Sequence, residues 1–149
     1  MDGLPGLDKD TRMLKGTCLC GGMRFEITGA HSKVSICHCS LCRKTSGTAS
    51  SAAIVVGYDQ LTWLSGQELV VSGPKHAFCR VCGAHAPDCN PRKTLYIVPV
   101  GILDDNPILT VGQHIYVGSK AHWDMIGDDG APRFEEGSAG PPLPRDQIA

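Results

Sequence analysis

The sequence reads as a mainly β, single-domain protein. Three observations say so: period-two alternation of apolar and polar residues, short apolar runs broken by Gly and Pro turns, and a length of 149 residues, ordinary for one domain. Alternation is plainest where Met23, Phe25 and Ile27 interleave with Arg24, Glu26 and Thr28, which turns one face to a core and the other to water. Apolar runs follow at 52–56, 61–64, 68–71, 95–100 and 113–117, separated by turns such as Ser72-Gly73-Pro74 and Asp105-Asn106-Pro107. They are too short and too often broken for helices. The only helical turns expected lie at 119–126, with Ser119 as cap and Trp123 and Ile126 on one face. Residues 1–11 and 135–149 lack periodicity and are expected to be flexible tails, leaving a domain over 12–134. The stretch 85–93, with Pro87, Asn90 and Pro91, is expected to be an exposed loop.

Charge and composition narrow the class. Fourteen basic and fifteen acidic residues give a net charge of -1 and a pI near 6.6, which argues against a nucleic-acid partner. The first residues lack the basic start and apolar run of a secretory signal, and nothing approaches the roughly 18 apolar residues of a membrane span. A cytoplasmic, reducing setting and no membrane partner are therefore expected. Aromatic residues make up only 5% while cysteine numbers eight, so the core is poor in large side chains and something else must help to hold it. In a reducing compartment clustered thiols hold metal more often than they form disulfides.

The cysteines fall into three groups. Cys18-Leu19-Cys20 precedes Gly21-Gly22, whose freedom lets the backbone bend both sulfurs toward one ion. Phe78-Cys79-Arg80-Val81-Cys82-Gly83 has the spacing of a zinc knuckle, in which a tight turn presents two sulfurs about 2.3 Å from a metal. Together these four thiols make a closed, structural site. Cys37-His38-Cys39-Ser40-Leu41-Cys42-Arg43-Lys44 differs: three thiols in six residues hold one face of an ion and leave a fourth position for water or substrate, as catalytic zinc requires. Its alternative is a second closed site, completed by His38 or Cys89. Between ligands that point to one side, His38 is expected to point away and pack; Cys89 is expected to be an unpaired surface thiol. Redox use of Cys79 and Cys82 lacks the βαβ setting it needs. Arg43, Lys44 and Arg80 stand close enough in sequence to offset thiolate charge or to meet substrate carboxylates.

Other residues carry less. His114 and His122 titrate in the right range for acid/base work, yet a lone His is usually structural. Trp63 and Trp123 read as core or pocket wall, and Asp104-Asp105 and Asp128-Asp129 as solvated turns.

The order Gly16-Thr17-Cys18-Leu19-Cys20-Gly21, Cys37-His38-Cys39-Ser40-Leu41-Cys42-Arg43, Phe78-Cys79-Arg80-Val81-Cys82-Gly83, followed by Gly101-Ile102-Leu103-Asp104 and His114-Ile115-Tyr116-Val117-Gly118, resembles the glutathione-dependent formaldehyde-activating enzyme family, which also includes centromere protein V. The resemblance covers about residues 15–134. It implies several small coiled antiparallel β-sheets stapled by two Zn²⁺ ions, with Cys18, Cys20, Cys79 and Cys82 on a structural zinc and Cys37, Cys39 and Cys42 on a catalytic one. It also implies a carbon–sulfur lyase joining a small-molecule thiol and aldehyde: glutathione and formaldehyde give S-hydroxymethylglutathione. Two alternatives stand beside it, a zinc-stabilised binding or scaffolding domain and an enzyme using the same zinc on another small electrophile. The 85–93 loop departs from the family pattern.

Overall fold

The computed structural model describes residues 7–8, 13–138, 140, 141 and 143. Its strands are β1 (Leu7–Asp8), β2 (Leu14–Thr17), β3 (Arg24–Ile27), β4 (His31–Ser32), β5 (Val34–Cys37) and β6 (Ser51–Gly57) in the first half. The second half carries β7 (Leu61–Ser65), β8 (Val70–Ser72), β9 (Ala77–Cys79), β10 (Asp88–Cys89), β11 (Leu95–Pro99) and β12 (Val111–Ile115). They form four small sheets: β2-β3-β7, β10-β11-β6-β5-β12, and the pairs β1-β4 and β8-β9. Pairing is antiparallel as expected, with one correction: β12 runs parallel to β5. No helix among the described residues is long and apolar enough to cross a membrane.

The two larger sheets face each other. Leu14, Phe25, Ile27 and Leu61 from one meet Val34, Ile54, Val56, Tyr96 and Val98 from the other, all buried. Strand alternation supplies these side chains, since residues two apart share a face. Three aromatics tie the layers together: Phe25 lies edge-on to Trp63 at 5.8 Å, and the Trp63 Nε1–H donates to the Tyr96 hydroxyl at 3.3 Å. A second, smaller core of Met23, Ala77 and Ala86 gathers around the buried Cys18 and Cys79. With so few large side chains, burial worth about 1.5–3 kcal/mol apiece is spread thin.

The helix lies elsewhere than expected. One α-helix, α1 (Ser40–Ser46), starts inside the middle cysteine group, while 119–126 holds only the end of a 3-10 turn, Val117–Ser119. Cys39 caps α1 with its sulfur, which accepts from the Cys42 N–H at 3.3 Å, and Gly47 closes it in the left-handed region with its N–H on the Arg43 carbonyl. A thiol is not a usual cap, so the start signal was hidden among presumed ligands. At 120–124 the Lys120 ammonium donates to the carbonyls of Ala121 and Asp124, curling the chain around a cation rather than into a helix. Trp123 is 72% exposed, neither core nor pocket wall. Nor is 85–93 a free loop: Ala86 and Pro87 are buried and β10 pairs with β11. The Asn90 side chain organises the connecting turn, its Oδ1 accepting from the N–H groups of Thr94 and Leu95.

Of the segment 1–11, only Leu7–Asp8 falls within the described residues; of 135–149, the carbonyls of Glu135 and Glu136 accept from Gly118 and Tyr116.

Gly16 is the closest approach in the core. A Cβ there would sit 2.0 Å from the tip of the Phe25 ring, which packs directly over the bare Cα. Gly16→Ala must displace a buried aromatic and is expected to cost about 1–3 kcal/mol, visible as a Tm lower by several degrees in a thermal melt.

Candidate functional site

The first cluster is built by two tight turns. After β2, Gly21 takes a φ of +80° and its N–H returns to the Cys18 carbonyl, while the Met23 N–H donates to the Cys18 sulfur at 3.3 Å. After β9, Gly83 at φ +75° returns its N–H to the Cys79 carbonyl. These turns bring Cys18, Cys20, Cys79 and Cys82 together, every sulfur within 4.8 Å of the others, from segments about 60 residues apart. A tetrahedral ion with metal–sulfur bonds of about 2.3 Å sets sulfur–sulfur edges of about 3.8 Å. The 3.4 Å between Cys18 and Cys20 and the 3.9 Å between Cys20 and Cys79 lie on either side of that value, and all four thiols are free. The N–H groups of Ala84 and Cys20 pull the Cys82 thiol down to about 6. Cys20 also accepts from the Gly22 N–H, which lowers it, but its neighbouring sulfurs push it up to about 11. Backbone N–H groups and neighbouring sulfurs thus act on the two thiols in different proportion, and a dication would favour the thiolate at all four positions.

The second cluster comes from a single passage of chain. Cys37 ends β5, held between β6 and β12; Cys39 caps α1; Cys42 is buried in its first turn. Their three sulfurs lie within 4.8 Å of one another, and neither His38 nor Cys89 joins them. Burial foremost pushes Cys37 up to about 12. Burial also raises Cys39, but the N–H of Cys42, the neighbouring sulfurs and the N–H of Leu41 outweigh it and leave this thiol lowered. Cys89 is half-buried and its thiol donates to the Asn90 carbonyl.

Behind this cluster runs a hydrogen-bond chain that the sequence did not reveal, buried at its two imidazoles and open to solvent at its carboxylate. Asp129 Oδ2 lies 2.7 Å from His114 Nε2, and His114 Nδ1 lies 3.0 Å from His38 Nε2, with both imidazoles almost fully buried. A carboxylate only accepts, so in the neutral rings His114 Nε2–H donates to Asp129, His38 Nε2–H donates to His114, and His38 Nδ1 is left as a lone pair without a partner. Burial, and then His114, hold the His38 pKa below its ordinary value. His38 packs away from the sulfurs as expected. Asp129 is exposed, as expected of a solvated turn, and in addition anchors the chain. Asp104 is likewise engaged, accepting from the Thr17 hydroxyl at 2.9 Å. The cations do not reach the sulfurs as salt partners: Arg43 donates to the Ser119 carbonyl and so ties α1 to the segment after β12.

A cavity of about 290 Å³ opens on the second cluster, with Cys37 and Cys42 in its wall. Its floor is the outer face of the five-stranded sheet, opposite the core. Ser35, Ser51 and Ala53 leave room there, and Val55, Ile97 and Pro99 make it apolar. Lys75, His76, His85 and Asp88 also line it, whereas Arg43, Lys44, Arg80, His114 and His122 do not. A larger cavity of about 390 Å³ lies beside Lys15, His31 and Asp104 but contains no cysteine and none of this chemistry.

The family model for the glutathione-dependent formaldehyde-activating enzyme matches residues 13–119, spanning both clusters. The chain belongs to this family. A Halomonas elongata protein described as "Putative glutathione-dependent formaldehyde-activating enzyme" is 28% identical over 125 residues, covering 74% of this chain and 79% of that one. A crystal structure of a Rhodobacter sphaeroides protein aligns with a TM-score of 0.47 at 27% identity, over 61% of this chain and 88% of the other. Within the formaldehyde-activating family, this chain therefore presents two cysteine clusters with the geometry to hold metal ions.

Truncation at Asp129 tests the hydrogen-bond chain. Burial raises this carboxyl, but the bond from His114 and the Ala131 N–H outweigh it and hold it below the usual carboxylate range. A depressed folded pKa gives stability that is present above the unfolded value of about 3.9 and fades as pH falls through the lower folded value. Asp129→Ala, leaving the His114 N–H unpaired, is expected to cost about 1–3 kcal/mol at pH 7. In urea unfolding across pH, the gap between variant and wild type should narrow below about pH 4.

Proposed function

We propose that this protein is a zinc-dependent carbon–sulfur lyase-like enzyme that makes and breaks thiol–aldehyde adducts, with S-hydroxymethylglutathione formation from glutathione and formaldehyde as the leading reaction. The observation that carries this reading is the pairing of a three-thiol group with a cavity: Cys37, Cys39 and Cys42 offer three ligands from one turn, and two of them face the open space. The four-thiol group has no such opening in its ligand set and is read as structural. The family match supplies the substrate class.

A zinc ion at Cys37, Cys39 and Cys42 supplies, when bound, a Lewis acid that lowers the pKa of an incoming thiol. In the reaction the thiol sulfur bonds to the aldehyde carbon, the carbon–oxygen double bond becomes a single bond, and the proton given up by sulfur ends on oxygen. The chain's own part is to hold and orient. The Cys42 N–H fixes the Cys39 sulfur, β5 and α1 fix the angle between Cys37 and Cys42, and the apolar floor of Val55, Ile97 and Pro99 offers a surface for the body of the substrate.

The two clusters are separable. Cys39→Ala is expected to keep the fold and one zinc per chain while formaldehyde–glutathione exchange, followed by NMR, falls about a hundredfold or more, as loss of several kcal/mol of metal activation requires. Cys79→Ala is expected to lose the other zinc together with cooperative unfolding. If Cys39→Ala lost both metals and the fold, or kept full exchange, the division of labour would be wrong.

A further inference from the structure

The cavity is chemically lopsided, and its second end has no role in the reading above. In the five-stranded sheet Cys37 stands opposite Ser51, whereas Asp88 stands opposite Ile97, which itself faces Val55. From Cys37 to Asp88 is three strands across and four residues along β6. At about 4.8 Å per strand and 3.4 Å per residue, the backbone separation is roughly 20 Å, shortened inside by side chains reaching in from both ends. Lys75, His76 and His85 share the wall with Asp88, and the floor between the two ends is apolar.

This far wall is a built feature. The β8-β9 hairpin carries His76 just before β9, its turn closed by the Gly73 N–H on the His76 carbonyl. Past the Cys79–Cys82 turn the chain comes back alongside: Phe78 bridges to His85, and the Ala86 N–H donates to the Ala77 carbonyl. The imidazoles of His76 and His85 therefore stack, centroids 4.9 Å apart and planes within 15°. His76 Nε2 is buried yet has no hydrogen-bond partner. Among the described residues, neither the Lys75 ammonium nor the Asp88 carboxylate enters a salt bridge. A buried polar atom without a partner is destabilising, and unspent groups of both signs beside it define what would satisfy them.

We propose that Lys75, His76, His85 and Asp88 form a recognition subsite for the amino-acid end of the thiol substrate, the ammonium and carboxylate carried on one carbon. This rests on the thiol–aldehyde reading of the same cavity. Lys75 and the imidazoles meet the carboxylate, and Asp88 meets the ammonium. The span between the ends suits a thiol borne on a peptide-like body, about 10 Å for three extended residues, rather than a simple alkyl thiol. The four-thiol site gains a second consequence, since its Cys79–Cys82 turn sets His76 and His85 side by side.

The test compares substrates. Formaldehyde exchange is measured with glutathione and with 2-mercaptoethanol on zinc-replete wild type, Lys75→Ala, His85→Ala, Asp88→Asn and the conservative Lys75→Arg, each checked for two zinc ions and a cooperative melt. The expected result is a fall of about tenfold or more in the kcat/KM ratio of glutathione over 2-mercaptoethanol in the first three variants, the loss of one charge-assisted contact, with recovery in Lys75→Arg. A ratio within twofold of wild type in the first three overturns the subsite. Should wild type accelerate neither thiol, the proposed reaction fails but the subsite is still read: calorimetry with S-methylglutathione must show binding that Lys75→Ala and His85→Ala weaken about tenfold. No binding, or equal binding, overturns it.

Discussion

Sulfur crowding is the constraint on which this structure turns. Seven thiols are held in two groups, the sulfurs of each within 4.8 Å of one another, and the chain spends much of its local design on doing so. Left-handed glycines at 21 and 83, N–H groups aimed at Cys18 and Cys39, and a helix capped by sulfur all serve that placement. Sulfurs so gathered are a set that a dication would bind. Because the apolar core is made of few large side chains, the closed group closes a loop of about 60 residues, where hydrophobic burial alone is weakest.

The two groups differ in how they are assembled, and that difference parallels the roles proposed for them. Four sulfurs from two turns on separate elements require the tertiary fold before they meet, so the site and the fold stand together. Three sulfurs from β5 and α1 are near one another by local geometry alone, requiring only that the strand and the helix keep their angle. That angle is held from behind. Arg43 ties the helix to the Ser119 carbonyl, the His38 N–H reaches the Ile115 carbonyl, and the His38–His114–Asp129 chain links the strand behind the cluster to the segment after β12, with His38 Nδ1 alone left unpaired. A reactive ligand set mounted on rigid support is what positional control of a reacting thiol demands.

How much of this the sequence discloses follows from the range of each interaction. Cysteine spacing is local, and so the grouping of Cys18 with Cys20, Cys79 with Cys82 and Cys37 with Cys39 and Cys42 was readable before any fold was known. So was the β character, because period two is local as well. The helix was not, since its cap is a thiol and its body carries Thr45 and Ser46, whose hydroxyls bond back to the Leu41 and Cys42 carbonyls. Asp129 looked like a solvated turn because its partner lies 15 residues earlier on a strand. His76, His85 and Asp88 carry no motif at all: they reach the thiol cavity only through sheet register and the return of the chain past Cys82. A stacked pair of histidines is visible only in three dimensions.

Electrostatics then decides where substrate charge can sit. With the proposed zinc ions in place, four thiolates and Zn²⁺ would sum to −2 and three thiolates and Zn²⁺ to −1, so the neighbourhood of either site would repel carboxylates. The nearby Arg43 does not cancel this at the cavity, because its guanidinium is turned toward the Ser119 carbonyl. A thiol that carries carboxylates must therefore place its sulfur at the anionic end and its charged groups as far from it as the cavity allows. Lys75 and the two imidazoles stand at that distance, across an apolar floor. The same separation disfavours the reverse pose, with a carboxylate against Cys37 and the sulfur beside Asp88, so the cavity orients a substrate by repulsion at one end as much as by attraction at the other.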